Sequence, residues 1–236
     1  MNILAVIPAR FASTRFPGKP LVDIDGMSMI QRVYVQAKKV TAFNSVIVAT
    51  DDERIYNHVR SFGGDVMMTS PLHVSGTDRI GEVCRNIGEQ PDVIVNIQGD
   101  EPFIQPEQLM LLLTAFNDHS TEIATLVKKI EQPEEIENPN VVKVVFSTHH
   151  KALYFSRSGI PFPRNIKTDY YKHIGIYAYR EAILHQLTQL SPTPLEQSES
   201  LEQLRWLENG FTIKVVPTTI DTIGIDTPDD LKKITL

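Results

Sequence analysis

Short apolar runs alternate with amphipathic stretches along the first half of the chain. Ile3 to Ile7 is an unbroken apolar run closed by Pro8, the signature of a strand buried on both faces. Met29 to Val40 carries apolar residues at helical spacing, and Ser45 to Ala49 is a second apolar run that stops at Thr50-Asp51-Asp52. A helix through Ile55 and Val59 is broken by Gly63-Gly64, and Asp65 to Met68 reads as a short strand. Ile80 to Ile87 is helical, Val93 to Ile97 is another strand ending at Gln98-Gly99-Asp100-Glu101, and Pro106 opens a helix through Leu113 and Phe116. Strands of this kind, joined by helices, predict a mostly parallel sheet covered on both faces.

After Pro139 the pattern changes. Val141 to Phe146 and Ala152 to Phe155 are strand candidates, and Ile160-Pro161-Phe162-Pro163 excludes helix. Lys172 to Tyr179 reads as a strand and Arg180 to Leu190 as a helix. Leu195 to Asn209 reads as one helix ended by Gly210, with Leu204 and Trp206 facing the core and Glu202 and Gln203 on the other side. Phe211 to Val216 is a strand, and Asp226-Thr227-Pro228 starts a last helix. No repeat or flexible linker divides the chain. The expectation is one composite α/β domain over residues 1–236, whose second half completes the sheet and adds a smaller strand-rich layer.

Charge sharpens this picture. The chain is acidic, with 29 Asp+Glu against 23 Lys+Arg and a formal charge of -6, which argues against a nucleic-acid surface. Yet its first twenty-two residues hold Arg10, Arg15 and Lys19 and no acid. These cations follow the first strand, in a loop with Ser13, Gly18 and the stiffening Pro8, Pro17 and Pro20. In open α/β sheets ligands bind at the carboxyl ends of strands, so such a loop suits phosphate. Neither G-x-x-x-x-G-K-[ST] nor G-x-G-x-x-G occurs. Forked Arg10 and Arg15 with the point charge of Lys19 instead fit a triphosphate losing pyrophosphate, and Ala9 allows a sugar or base to come close. The single Cys84 excludes an internal disulfide and a Cys-rich zinc site. No run of eighteen apolar residues predicts a membrane span, and the opening apolar run is too short for a signal peptide. A soluble cytoplasmic protein is the expectation.

Asp100, after an apolar strand and Gly99, offers a hard oxygen to magnesium at the rim that the cationic loop faces; its alternative is a turn or helix cap. Ser75-Gly76-Thr77-Asp78-Arg79 offers polar groups to a pyrimidine edge, or else is a capped helix start. The other histidines, His58, His73, His119, His149, His150 and His185, carry no comparable claim beside His173.

The stretch IPARFASTRFPGKPL resembles the opening signature of sugar nucleotidyltransferases, and most closely that of the 3-deoxy-manno-octulosonate (KDO) cytidylyltransferases. HVSGTDRIGEV, VNIQGDEPFI, YFSRSGIPFPR, YKHIGIYAYR, LEQLRWLENG and IDTPDDL follow in that family's order over nearly the whole chain. The resemblance implies a Rossmann-like, GT-A-like nucleotidyltransferase sheet. Residues 1–130 would mainly bind CTP, and residues 131–236 would mainly serve the acceptor sugar and a homodimer. It implies nucleotide contacts from Pro8, Ala9, Arg10, Ser13, Arg15, Lys19, Ser75, Arg79 and Asp100, with Arg10, Lys19 and Asp100 as catalytic residues. Magnesium would be held by Asp100 and Asp226, although Asp226 also suits a helix start. The acceptor would be met by Gln98, Arg157, His173, Glu202 and Gln203. Arg157 would clamp the sugar carboxylate or else brace its strand; His173 is otherwise a packed or surface histidine. The implied reaction moves CMP from CTP to KDO for lipopolysaccharide synthesis. Two alternatives remain open: the same transfer to an 8-amino-8-deoxy analogue or a sialic acid, and a non-catalytic nucleotide-binding regulator.

Overall fold

The computed structural model describes residues 1–12, 16–88, 90–166, 168–222, 224–225 and 227–231. Its elements run β1 (Ile3–Ala9), β2 (Asp23–Ile24), β3 (Met27–Ser28), α1 (Met29–Lys38), β4 (Ser45–Thr50), α2 (Glu53–Ser61), β5 (Val66–Met68), α3 (Gly76–Asn86), β6 (Val93–Asn96) and α4 (Pro106–Leu113). Then follow β7 (Ile123–Lys129), α5 (Glu134–Glu137), β8 (Lys143–Phe146), β9 (Ala152–Ser156), β10 (Tyr171–Arg180), α6 (Glu181–Leu187), α7 (Pro194–Glu199), α8 (Glu202–Glu208), β11 (Ile213–Thr218) and α9 (Pro228–Leu231). The fold is α/β, with mostly parallel sheet and covering helices, as the apolar runs predict. The chain divides into two compact units, one of residues 1–110 with the segment from 222 onward, the other of residues 111–221.

In the first unit β1 lies between β6 and β4, and β5 flanks β4, all parallel. Val6 stands opposite Ile47 on one side and Asn96 on the other. Ile3 to Ile7 are all buried, as an unbroken apolar strand requires. Because the strands are parallel, Ala9, Thr50, Met68 and Asn96 end along one rim. The covering helices bury Met29, Ile30 and Val33 from α1, Ile55 and Val59 from α2, and Ile80 and Val83 from α3. Each helix starts on a side-chain cap: Ser28 accepts from Gln31, Asp52 from Arg54, and Ser75 from Asp78. The cap at Ser75 starts α3 four residues before the predicted Ile80, because Asp78 returns a bond to the Ser75 N–H and closes a capping box. The β2–β3 hairpin, two residues per strand, is too short for sequence periodicity to register.

In the second unit β7 pairs parallel with β11 and antiparallel with β10, while β8 pairs antiparallel with β10 and β9. The periodicity misses β7. Its run is interrupted by Thr125 and Lys128, yet both are buried. Thr125 spends its hydroxyl on β10, and Lys128 reaches Asp221 at 3.4 Å. The single helix predicted from Leu195 to Asn209 is two helices. Ser200, in the left-handed region at φ 52, ends α7 and turns the chain into α8. Nor is Gln203 on an outer face. It is buried together with Leu204, Arg205 and Trp206, because α7 covers that side and Glu196 takes the Arg205 guanidinium bidentately at 2.6 and 2.7 Å.

Candidate active site

The parallel order of the first unit brings three polar strand ends to one rim. Eight of the expected site residues, Pro8, Ala9, Arg10, Lys19, Ser75, Arg79, Gln98 and Asp100, line a single open cavity of about 230 Å³. Ser13, Arg15 and Asp226 lie outside the described residues.

The cationic loop is built tightly where it is described. Gly18 donates its N–H to Phe11 O at 3.0 Å with φ 72, and a Cβ there would stand 3.1 Å from the Phe11 ring, so only glycine fits. The Phe11 ring lies under the Arg54 guanidinium, 3.3 Å from its centroid, and Asp52 grips that guanidinium at 2.9 and 2.6 Å. The next residue, Lys19, is 8% exposed and reaches Asp100 Oδ2 with its Nζ at 2.9 Å. A lysine and a carboxylate thus meet at the strand ends inside the cavity.

Asp100 owes its position to Gly99. A Cβ on Gly99 would stand 2.9 Å from Pro8 O, so the chain after β6 crosses directly over the end of β1. The Asp100 carbonyl accepts the N–H of Ile225 at 3.0 Å, and Ile225 is buried with Ile24 and Met29. Ile225 is thereby fastened to the Asp100 backbone. Asp100 keeps a partly exposed carboxylate, the donor that a hard divalent cation takes together with phosphate oxygens and water. Among the described residues no cluster of three His, Cys, Asp or Glu side chains forms a metal cage. One or two carboxylates with substrate phosphates fit such a cation equally well.

Arg79 is 3% exposed and held by Asp51 at 3.0 Å and by the Thr69 hydroxyl. The acidic cluster after β4 therefore serves as scaffolding: Asp51 aims Arg79, and Asp52 aims Arg54. Ser75, as the cap of α3, turns the helix's positive end toward the cavity. Sequence reasoning missed His73, which also lines the cavity. Its signal was its place, two residues before the Ser75 cap.

The remaining acceptor candidates lie in the second unit. Arg157 donates Nε to Glu199 O at 2.8 Å, Nη1 to Pro139 O at 2.9 Å and Nη2 to Ser200 O at 3.5 Å, while its own N–H goes to the Glu199 carboxylate. His173 sits on β10 with its ring 5.0 Å from Phe155 and 5.3 Å from Tyr177. Its Nε2 is 3.0 Å from the Thr125 hydroxyl, which donates to Ile176 O at 2.8 Å across the irregular register of β10. Burial pulls the His173 pKa down to about 3, so its imidazole is neutral. Tyr177 stacks edge-on to Trp206 of α8 at 4.9 Å, linking His173 to the helix that carries Glu202 and Gln203. Glu202 is half-buried and Gln203 buried.

A parallel sheet with a cationic loop after its first strand and a carboxylate facing it from a neighbouring strand end is the layout of a nucleotide-activating transferase. The chain belongs to the cytidylyltransferase family, whose model matches residues 4–216, and within it to the 3-deoxy-manno-octulosonate cytidylyltransferases. It is 56% identical over 244 residues to the 3-deoxy-manno-octulosonate cytidylyltransferase of Parabacteroides distasonis, spanning 99% of this chain and 96% of the relative. Identity to the enzyme of that name from Cytophaga hutchinsonii is 52%, spanning 100% and 97%. A solved CMP:2-keto-3-deoxy-manno-octonic acid synthetase complexed with CTP superposes with a TM-score of 0.93 at 46% identity, over 99% of this chain and 96% of that one. A cytidylyltransferase from Leptospira borgpetersenii, 18% identical with a TM-score of 0.63, shares the fold.

Proposed function

We propose that this chain transfers CMP from CTP to the anomeric 2-hydroxyl of KDO, giving CMP-KDO for lipopolysaccharide synthesis and pyrophosphate. The observation that carries this reading is the Lys19–Asp100 pair at the strand ends, in a chain so similar to a CTP-bound synthetase. The acceptor oxygen bonds to the α-phosphorus, the bond from that phosphorus to the bridging oxygen breaks to release pyrophosphate, and the hydroxyl proton passes to water. Arg10, Ser13, Arg15 and Lys19 serve the phosphates, while Ser75, Arg79, Pro8 and Ala9 hold the nucleotide. Most of the acceleration then comes from positioning and electrostatics.

Cytidylyltransferases generally use a divalent metal. Asp100, with Asp226, would hold it, and magnesium suits oxygen donors of this kind. When bound, it supplies positive charge to the triphosphate and the departing pyrophosphate. The acceptor candidates are Gln98 of the first unit and Arg157, His173, Glu202 and Gln203 of the second. Three guanidinium N–H groups of Arg157 are engaged, which leaves two for a carboxylate. The neutral His173 hydrogen-bonds a sugar hydroxyl without adding charge. CTP supply places the reaction in the cytoplasm. The exposed Leu153, Phe162 and Ile166 of the second unit support a homodimer formed through that half.

Pyrophosphate release measured with CTP and a panel of KDO, its 8-amino analogue and a sialic acid tests this reading. KDO should give the highest kcat/KM. No release with any of the three would overturn it.

A further inference from the structure

The segment between β5 and α3 crosses the cavity wall with little apolar anchorage: Leu72 is 86% and Val74 76% exposed. Its two ends are secured. Thr69 is buried and bonded to Thr50 O, and Ser75 caps α3. Between those ends a single carboxylate holds the segment. Glu82, on the second turn of α3, accepts the Ser70 N–H at 2.9 Å and the His73 imidazole through Nε2, both on Oε2. Burial works against a charge on Glu82, but the Ser70 and His73 bonds outweigh it and hold the carboxyl below its ordinary range. An ionised carboxylate only accepts, so Nε2 must carry the hydrogen in this contact. The tautomer is thereby set, and Nδ1 is the ring nitrogen that Glu82 does not engage. Glu82 stands three residues after Arg79, so one face of α3 carries both the guanidinium that lines the cavity and the carboxylate that grips His73.

We propose that Glu82 and His73 are a positioning pair for the nucleotide: Glu82 clamps the turn at residues 70–73 to α3, and His73 forms the cavity's side wall against the bound CTP. This rests on the assignment of the cavity to CTP. A pair that only braced the helix would matter to folding and would touch both substrates alike. A pair that shapes the nucleotide wall acts on CTP alone.

The test begins with CTP titrated calorimetrically into the wild-type protein, then into E82A and H73L. Kinetics follow with CTP and KDO varied separately, together with a melting curve for each variant. Both variants should weaken CTP binding and raise the CTP KM about tenfold, the loss of a charge-assisted contact. The KDO KM and kcat should stay within about twofold. E82D should recover part of the loss, because a carboxylate remains. The double variant should be no worse than E82A alone, since E82A already removes the acceptor that His73 uses. If E82A fails to fold, H73L, which leaves the Glu82 bond to the Ser70 N–H in place, decides the matter. Wild-type protein that binds no CTP would remove the cavity assignment and this inference together. Wild-type binding with unchanged CTP KM in H73L, or a lowered melting temperature with both KM values raised alike, would overturn the inference alone.

Discussion

At the scale of single residues, the chemistry proposed for the cavity rests on a lysine and an aspartate that are 81 positions apart and 2.9 Å from one another. Each was legible as a candidate because of where its strand ran out. Their partnership was not, since no local pattern links Lys19 to Asp100. Asp100→Asn preserves shape and removes the charge. Turnover should fall roughly a hundredfold or more with the melting temperature nearly unchanged, as expected for a carboxylate that holds a metal. Near-normal turnover by a folded variant at limiting magnesium would exclude that role. Gly99→Ala makes a different prediction. Its Cβ would meet the Pro8 carbonyl at 2.9 Å, and backbone cannot step aside cheaply. A loss of about 1–3 kcal/mol in urea denaturation is expected, with lost activity because Asp100 is carried along. The sequence marks Gly99 only as the residue between an apolar strand and Asp100, and the structure shows that its place demands closeness to Pro8.

At the scale of elements, β10 and its neighbours decide how the second unit behaves. Thr125 of β7 fills the register irregularity of β10 and meets the His173 ring, which explains why a threonine interrupts an otherwise apolar strand. The His173 pKa of about 3 lies below the ordinary 6.5. Between those values the unfolded chain takes up a proton that the native ring refuses, so stability falls as pH drops below 6.5. The slope is at most about 1.4 kcal/mol per pH unit. Denaturation curves of wild type and His173→Phe between pH 7 and pH 5, above the range of the carboxylates, should show a shallower acid limb for the variant. Equal slopes would mean that His173 is protonated in the native state. Arg157 belongs to this scale as well. Its guanidinium joins the end of α7 to the loop at Pro139, so Arg157→Ala should lower the melting temperature as well as raise the KDO KM. An unchanged melting temperature would mean that the three carbonyl contacts contribute nothing to stability.

At the scale of the whole molecule, the exposed Leu153, Phe162 and Ile166 bear on assembly. Sedimentation at micromolar concentration should find a dimer, and Phe162→Ser should shift it toward monomer without loss of secondary structure. A wild-type monomer would exclude the assembly. The amino-acid sequence by itself determined the α/β class and most of its elements. Buried parallel strands must be apolar throughout, and the ends of helices announce themselves through Ser, Asp, Pro and Gly. The sequence also singled out the cations proposed for phosphate, because a segment with three bases and no acid stands out in an acidic chain. The tertiary structure alone decided the rest. It buried Thr125 and Lys128 against a polar pattern, since distant partners could satisfy them, and it buried Gln203 where α7 covers α8. It turned the acids after β4 into supports for Arg79 and Arg54, and it put His73 on the cavity wall. Those outcomes depend on groups far apart in the chain meeting at hydrogen-bond distance, and periodicity carries information only about neighbours.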